Sequence, residues 1–269
     1  MKLRNTSASQ VEAWSSCPRA WHFGWVKGFK SPPTEAMQRG TLIHAAIEAT
    51  IKTGVVPATE WGVYAQAALP HLPMGQREVL VEHKMVLDTA PGLPPWVGYI
   101  DLLDDSRALS QVLRITDHKT TSDFRYAKTP EELACNPQVI SYARFAFAEI
   151  VDPEEQYVEV GHLYIKTAKK PPKVATVLPV FTQVDRVQVD KIWERDLTLV
   201  EEMVRAAEID NTDKLPPKGT TNGHCEKYGG CPHKARCGIV KNLTPKESVT
   251  MSNEFLKRLE AARAAKASG

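Results

Sequence analysis

The sequence predicts a mixed α/β fold, with helices packed on a small central mixed sheet. Three observations predict it. Apolar residues recur at helical spacing in separate stretches, at Ile43, Ile47 and Ile51 and again at Val139, Ala143, Phe147 and Ile150. Short apolar or alternating runs lie between and after those stretches. Their order is helices, a strand meander, a helix, two strands and a long helix. The 269 residues, 42% hydrophobic and 25% charged, suit one large domain or a domain with an appendage, and exclude a disordered chain. Apolar runs such as 143–150 stop far short of the ~20 residues of a membrane span. The opening MKLRNTSASQ has no apolar signal-peptide core, so the expected location is the cytoplasm, that of the host if the protein is phage-encoded. A net charge of +2 neither demands nor excludes nucleic acid. Neither GxxxxGK[ST] nor GxSxG occurs, which argues against a built-in P-loop motor or an α/β-hydrolase nucleophile.

In chain order, Ser9 and Glu12 have capping-box spacing and open a short helix that ends near Cys17-Pro18. Trp21, Phe23 and Trp25 follow and read as core rings. A second helix is expected from Thr34 to Thr53, with His44 beside the isoleucine stripe and Glu48 one turn on. Strands are expected over Val79–Leu87, Trp96–Leu103 and Gln111–Lys119, with a polar hairpin turn at 104–107. Asn136-Pro137 supplies a cap and a first-turn proline for a helix to about Ile150. Strands over Tyr157–Lys166 and Lys173–Phe181 flank a basic turn, and an amphipathic helix runs from Asp185 to about Ile209. A turn-rich loop, 215–223, leads to a cysteine group, and the tail over 252–265 favours a solvated helix.

Asp101 on one strand and Asp117-His118-Lys119 on the next are the most informative local feature. Two carboxylates and an ammonium at neighbouring strand ends are costly without a task, because like charges repel and desolvated charge needs compensation. A divalent cation relieves both penalties, and a carboxylate, histidine and water shell suits Mg²⁺ or Mn²⁺. The lysine can then orient water or stabilise phosphate charge, as metal-assisted phosphodiester hydrolysis requires. Taken alone, an Asp-x-Lys is usually an ordinary solvated strand face, and a lone helical histidine is usually packed or exposed.

In combination, these stretches resemble the PD-(D/E)xK nuclease superfamily in its RecB-like branch. The matching segments are GTLIH (40–44), VEHKMVL (81–87), VGYIDLL (97–103), ITDHKT (115–120) and QVISYA (138–143), in the family's order. The resemblance implies a restriction-endonuclease-like core. It implies that His44, Asp101 and Asp117 are metal ligands, joined by the main-chain carbonyl of His118, and that Lys119 is the catalytic lysine. Gln138 and Tyr142 match the Q-x-x-x-Y element that contacts DNA and supports the site, and Glu82 corresponds to an acid carried one strand earlier. Ile100 stands where the nominal proline would precede Asp101.

Five cysteines, an odd number in a chain without a signal peptide, favour metal binding or thiol chemistry over disulfides. Cys225, Cys231 and Cys237 lie in a Gly/Pro-rich segment that can fold back on one centre. Zinc on these three plus His224 or His233 is one reading, although it leaves Cys17 unexplained. The set also resembles the iron–sulfur-stapled RecB-like nucleases, which include the AddB nuclease domain and CRISPR-associated exonucleases. That resemblance implies a [4Fe–4S] cluster on Cys17, Cys225, Cys231 and Cys237, with Cys17-Pro18-Arg19-Ala20-Trp21 matching the N-terminal pattern. Such a cluster would tie the two ends of the chain together. Cys135 reads as a buried free thiol.

The expected organisation is a nuclease domain over 1–245, with the cluster segment 215–240 packed on the N-terminal helix 7–25, and a helical tail over 246–269. The expected partner is DNA, through its single-stranded ends, in recombination, repair or phage DNA processing, with any helicase or recombinase on a separate chain. Arg19, Lys27, Lys30, Arg39, Arg125, Lys128, Lys169, Lys170 and Lys173 could neutralise phosphates, although a solvated face explains each equally well, and Trp21, Trp25 and Tyr126 could stack on bases, although core packing is the commoner role of such rings. The alternatives are a non-catalytic DNA-binding or adaptation subunit with a vestigial site, and a redox or regulatory protein.

Overall fold

The computed structural model describes residues 3–75, 79–105, 112–218, 223, 225–226 and 230–237. The expected tail helix, part of the 104–107 turn and His224 lie outside these residues. Helix α1 (Ala8–Ser16) is capped by Ser7, which accepts a hydrogen bond from the Gln10 amide. The expected Ser9–Glu12 box does not form, because the helix begins two residues earlier than that box would require. Glu12 instead accepts from Asn136 Nδ2 at 2.8 Å and Lys128 Nζ at 3.3 Å, tying α1 to a later helix. Helix α2 (Pro18–Trp21) widens into a π-helical turn over His22–Val26. Trp21 and Phe23 pack inside as expected, whereas Trp25 is 43% exposed.

Helix α3 (Glu35–Thr53) is capped by Thr34 and stopped by Gly54, whose φ of 73° favours glycine. Helix α4 (Gly62–Ala68) was not anticipated from the sequence, yet Tyr64, Ala65 and Ala68 are fully buried. The sheet runs β1 (Val79–Leu87), β2 (Trp96–Asp104), β3 (Arg114–Thr121), β4 (Tyr157–Lys166) and β5 (Val177–Asp185), in that spatial order. All neighbours are antiparallel except β3 and β4. That parallel pair is joined through α5 (Pro130–Leu133) and α6 (Pro137–Glu149), since parallel neighbours need a crossover. Asn136 caps α6 as expected, accepting from the Gln138 and Val139 amides. Helix α7 (Arg186–Ala207) starts at its cap Asp185, and α8 (Lys234–Cys237) is a single turn.

Strand boundaries differ from expectation most in β3 and β5. Strand β3 begins at Arg114 and continues to Thr121, because parallel pairing with β4 extends to Lys166. Strand β5 runs over Val177–Asp185 instead of Lys173–Phe181: the stretch holding Pro171, Pro172 and exposed Val174 is irregular, and pairing with β4 extends from Ile165–Val177 to Tyr157–Asp185. Proline cannot donate to a ladder, so the two prolines delay the strand.

The sheet is covered on both faces. One core packs Ile43, Ile47, Tyr64, Leu102, Leu163 and Ile165 under α3 and α4. The other packs α1, α6 and α7 over Ile100, Ile115, Val158 and Val160. Central strands β3 and β4 are therefore buried on both sides, and a polar residue placed on them enters a low-dielectric interior. Among the described residues, no helix is long and apolar enough to cross a membrane.

Candidate active site

The site lies where β2 and β3 part. Their pairing is recorded from Asp104–Arg114 to Leu102–Thr116 and goes no further. Beyond that point the Asp101 carboxylate takes over, with Oδ2 accepting from the His118 amide at 2.7 Å. The same oxygen lies 3.4 Å from His44 Nδ1 and 3.7 Å from His118 Nδ1. The ligand atoms of His44, Asp101 and His118 all fall within 4.8 Å of one another. His44 and His118 meet edge to face, and the His44 ring hydrogen-bonds the His118 main chain.

Helix α3 delivers His44 because Gly40, one turn earlier, lets it approach β3. A Cβ at Gly40 would lie 3.1 Å from Thr120 Oγ1. A groove lined by Met37, Gly40, Thr41, His44, Glu82 and Thr120 opens beside Asp101. Glu82 sits between the pairs Val81–Leu102 and His83–Ile100, across from Asp101, at a φ of +53°. A left-handed glutamate is strained, and such strain gathers at functional sites.

Strand alternation sends Asp117 and Lys119 to the face of Ile115 and His118 to the α3 face. Asp117 therefore stands outside the three-residue group, though near enough to shift both Asp101 and His44. Its Oδ2 lies 2.6 Å from Lys119 Nζ, and its Oδ1 lies 2.9 Å from the Tyr142 hydroxyl. That hydroxyl also lies 2.7 Å from the Tyr99 carbonyl and accepts from Gln138 Nε2 at 2.8 Å. One phenolic proton serves two acceptors, so Tyr142 locks Asp117 to the β2 backbone. Tyr142→Phe should lower stability by about 1–3 kcal/mol, since buried acceptors lose their donor. Urea unfolding measures it, and an unchanged midpoint would show the hydroxyl to be dispensable.

The charges are unevenly compensated. Burial, reinforced by the Asp117 charge, pushes the Asp101 carboxyl up to about 8. Burial also opposes ionisation of Asp117, but Lys119 and His162 outweigh it and hold that carboxyl below its usual range. Burial pushes His118 down to about 3 and lowers His44, leaving both imidazoles neutral and available to a cation.

His162 and Tyr164 escaped the sequence reading. Parallel register sets His162 beside Asp117 and Tyr164 beside Lys119. Tyr164 accepts from the Lys128 amide at 2.9 Å, and its hydroxyl lies 3.0 Å from His162 Nδ1. Burial lowers His162 to about 4. The available signal was His162 and Tyr164 at alternate positions of the otherwise apolar run 160–165.

In a separate pocket, Cys17, Cys225, Cys231 and Cys237 meet Ala20, Phe23, Pro217 and His233. Burial and the neighbouring thiols raise both Cys225 and Cys231. Among the described residues, no three of these sulfurs come within 4.8 Å of one another. Two expectations fail. Cys135 is exposed, because it sits in the short link between α5 and the cap of α6. Arg19 is buried and bonded to protein, and so unavailable to phosphates, while Trp21 keeps to its reading as a core ring.

A sequence model of the PD-(D/E)XK nuclease superfamily matches residues 5–87 and 67–238. This chain belongs to the PD-(D/E)XK nuclease superfamily. The superfamily's divalent-metal chemistry on nucleic-acid phosphodiesters fits the acid, imidazole and lysine group just described. A search of curated proteins found no match. Among solved structures, a candidate exonuclease from Eubacterium rectale aligns at 10% identity over 91% of each chain, with a TM-score of 0.52. The crystal structure of SSO0001 aligns at 13% identity over 91% of this chain and 89% of its own, with a TM-score of 0.44. At such identities the likeness with the E. rectale protein is one of fold. The helix-flanked mixed sheet is the restriction-endonuclease-like α/β arrangement expected of this PD-(D/E)XK nuclease.

Proposed function

We propose that this PD-(D/E)XK chain is a RecB-like, metal-dependent deoxyribonuclease that digests DNA from single-stranded ends. The observation that carries the reading is the meeting of His44, Asp101 and His118 within 4.8 Å beside the Asp117–Lys119 pair. The donor set fits a hard divalent ion. Burial and the Asp117 charge make an ionised Asp101 costly without a cation, both imidazoles are neutral, and His118 Nε2 is buried without a protein partner. His44, Asp101 and His118 would hold the ion, with Asp117 completing the acid pair. Bound Mg²⁺ or Mn²⁺ would polarise the phosphate and acidify the attacking water. Lys119 would orient that water and stabilise charge developing on the phosphate, while Tyr142 and Gln138 hold Asp117 in place.

Two features support action on unpaired ends. Tyr126, exposed on the loop after β3 with Arg125 stacked 4.9 Å from its ring, offers a platform for an unpaired base. The fold likeness to the E. rectale candidate exonuclease points the same way. Recombination, repair and phage DNA processing are the settings that use such an activity.

The pocket shared by four cysteines supports a [4Fe–4S] staple. Tetrahedral zinc would draw thiolates to about 3.8 Å from one another, given Zn–S distances of ~2.3 Å. A cubane, whose irons each carry one thiolate outward, uses all four cysteines of the pocket, whereas zinc on Cys225, Cys231, Cys237 and a histidine leaves Cys17 unused.

The test uses end-labelled linear and covalently closed circular single-stranded DNA with Mn²⁺. Linear DNA should be degraded, the circle spared, and Asp117→Ala inactive. Undiminished cleavage by Asp117→Ala would sink the catalytic assignment, and equal cleavage of the circle would make the enzyme an endonuclease. For the cluster, anaerobically purified protein should absorb near ~400 nm and contain iron and sulfide.

A further inference from the structure

We propose that Arg19 is the positioning residue of the four-cysteine pocket, fixing Cys237 in place and setting a permanent positive charge beside its sulfur. The inference rests on the cluster reading above. Arg19 lies on α2, two residues after Cys17, and is 9% exposed. A buried guanidinium is tolerated only when its donors are satisfied. Here Nε and Nη2 donate to the Leu215 carbonyl at 3.1 and 3.0 Å, and Nη2 donates to the Asp213 carbonyl at 2.8 Å. Nη1 donates to the Cys237 carbonyl at 3.2 Å and reaches the Cys237 sulfur at 3.8 Å. The Asp213 carboxylate, largely in solvent, stands 3.5 Å from Nη1.

One side chain thus joins the N-terminal cysteine helix to two C-terminal segments, 194 to 218 residues away, before any cluster is counted. The planar fork is what permits this, because a lysine ammonium cannot bond three separated carbonyls and a sulfur in fixed geometry. The contact to sulfur has a second consequence. Hydrogen bonds and charge near the thiolates set the potential of an iron–sulfur cluster. Reduction adds one electron, and therefore one negative charge, to the cluster. A cation beside Cys237 favours that reduced form and raises the midpoint.

The full-length protein is purified anaerobically as wild type, Arg19→Lys and Arg19→Gln. Iron and sulfide content, circular dichroism and iron release to a ferrous chelator are measured. The midpoint is then read by dithionite titration, with dithionite supplying the electron and paramagnetic resonance following the reduced cluster. Both variants should load the cluster and release iron several-fold faster than wild type. The midpoint should fall in Arg19→Gln and stay closer to wild type in Arg19→Lys, a split that a purely structural loss would not produce. Wild-type release rates and midpoint in both variants would overturn the proposal. If Arg19→Gln does not fold, Arg19→Lys decides through its iron release. Wild-type protein lacking iron and sulfide would instead remove the cluster reading itself.

Discussion

Replacing Asp101 by asparagine should raise the melting temperature of the metal-free protein while abolishing cleavage. Burial and the Asp117 charge push the Asp101 carboxyl up to about 8, far above its ordinary 3.8. The fold therefore favours the protonated acid. Its contribution to stability is complete below the unfolded value, near pH 4, and is lost as pH rises through about 8. Asparagine never ionises, yet it keeps an oxygen for the His118 amide that Asp101 Oδ2 now accepts at 2.7 Å. At pH 8 in EDTA the variant should melt ~5 °C or more above wild type, and the gap should narrow toward pH 5. The same exchange removes the only carboxylate among the three converging ligands, so cleavage should fall by ~10³ or more. Mn²⁺ should raise the wild-type melting temperature and leave the variant unmoved. Scanning fluorimetry at both pH values checks this. A variant that melts at or below wild type at pH 8 would show that Asp101 carries no surplus charge. The wild type, which must shed the Asp101 proton to bind metal, should gain Mn²⁺ affinity as pH rises toward about 8.

Lys119→Met should abolish turnover while metal still binds. Burial favours a neutral amine at this position, but the Asp117 carboxylate 2.6 Å away outweighs it and holds Lys119 above its ordinary range. The side chain is therefore an ammonium throughout the neutral range. It can orient water and stabilise phosphate charge, and it cannot act as a base there. Methionine preserves the aliphatic stem and removes the charge. A preorganised charge in a site shielded from water is worth a ~10³-fold change in rate. Calorimetric Mn²⁺ titration should give an affinity close to wild type, because the converging ligands are His44, Asp101 and His118. Single-turnover cleavage should give the loss in rate. A variant that cleaves within ~10-fold of wild type would remove Lys119 from the chemistry.

Part of the site was legible because local spacing governs it. Gln138 and Tyr142 share a helix face at i, i+4, and the structure bonds them at 2.8 Å. Asn136-Pro137 announced the start of their helix, whereas Gly40 entered only as part of the GTLIH match, and its close approach to Thr120 emerged from the structure. His162 and Tyr164 were illegible because their relevance depends on which strand lies beside β3. That pairing comes from a parallel crossover joining residues more than 40 positions apart. Glu12 misled for the same reason. Its sequence neighbourhood fits a cap, whereas its bonds go to Lys128 and Asn136. Cys135 was read as buried because it is the spare thiol just before the Gln138 helix, and the chain instead leaves it exposed on a short link.

By itself the sequence determined the α/β class, most element boundaries and the residue types able to hold a cation, since periodicity, caps and side-chain chemistry are local properties. Only the tertiary structure decided which of those residues share a space. It grouped His44 with Asp101 and His118, turned Asp117 toward Lys119 and Tyr142, and buried Arg19 against Cys237. The physical reason is that strand alternation and the parting of β2 from β3 set side-chain direction, and both are fixed by pairing between segments distant along the chain.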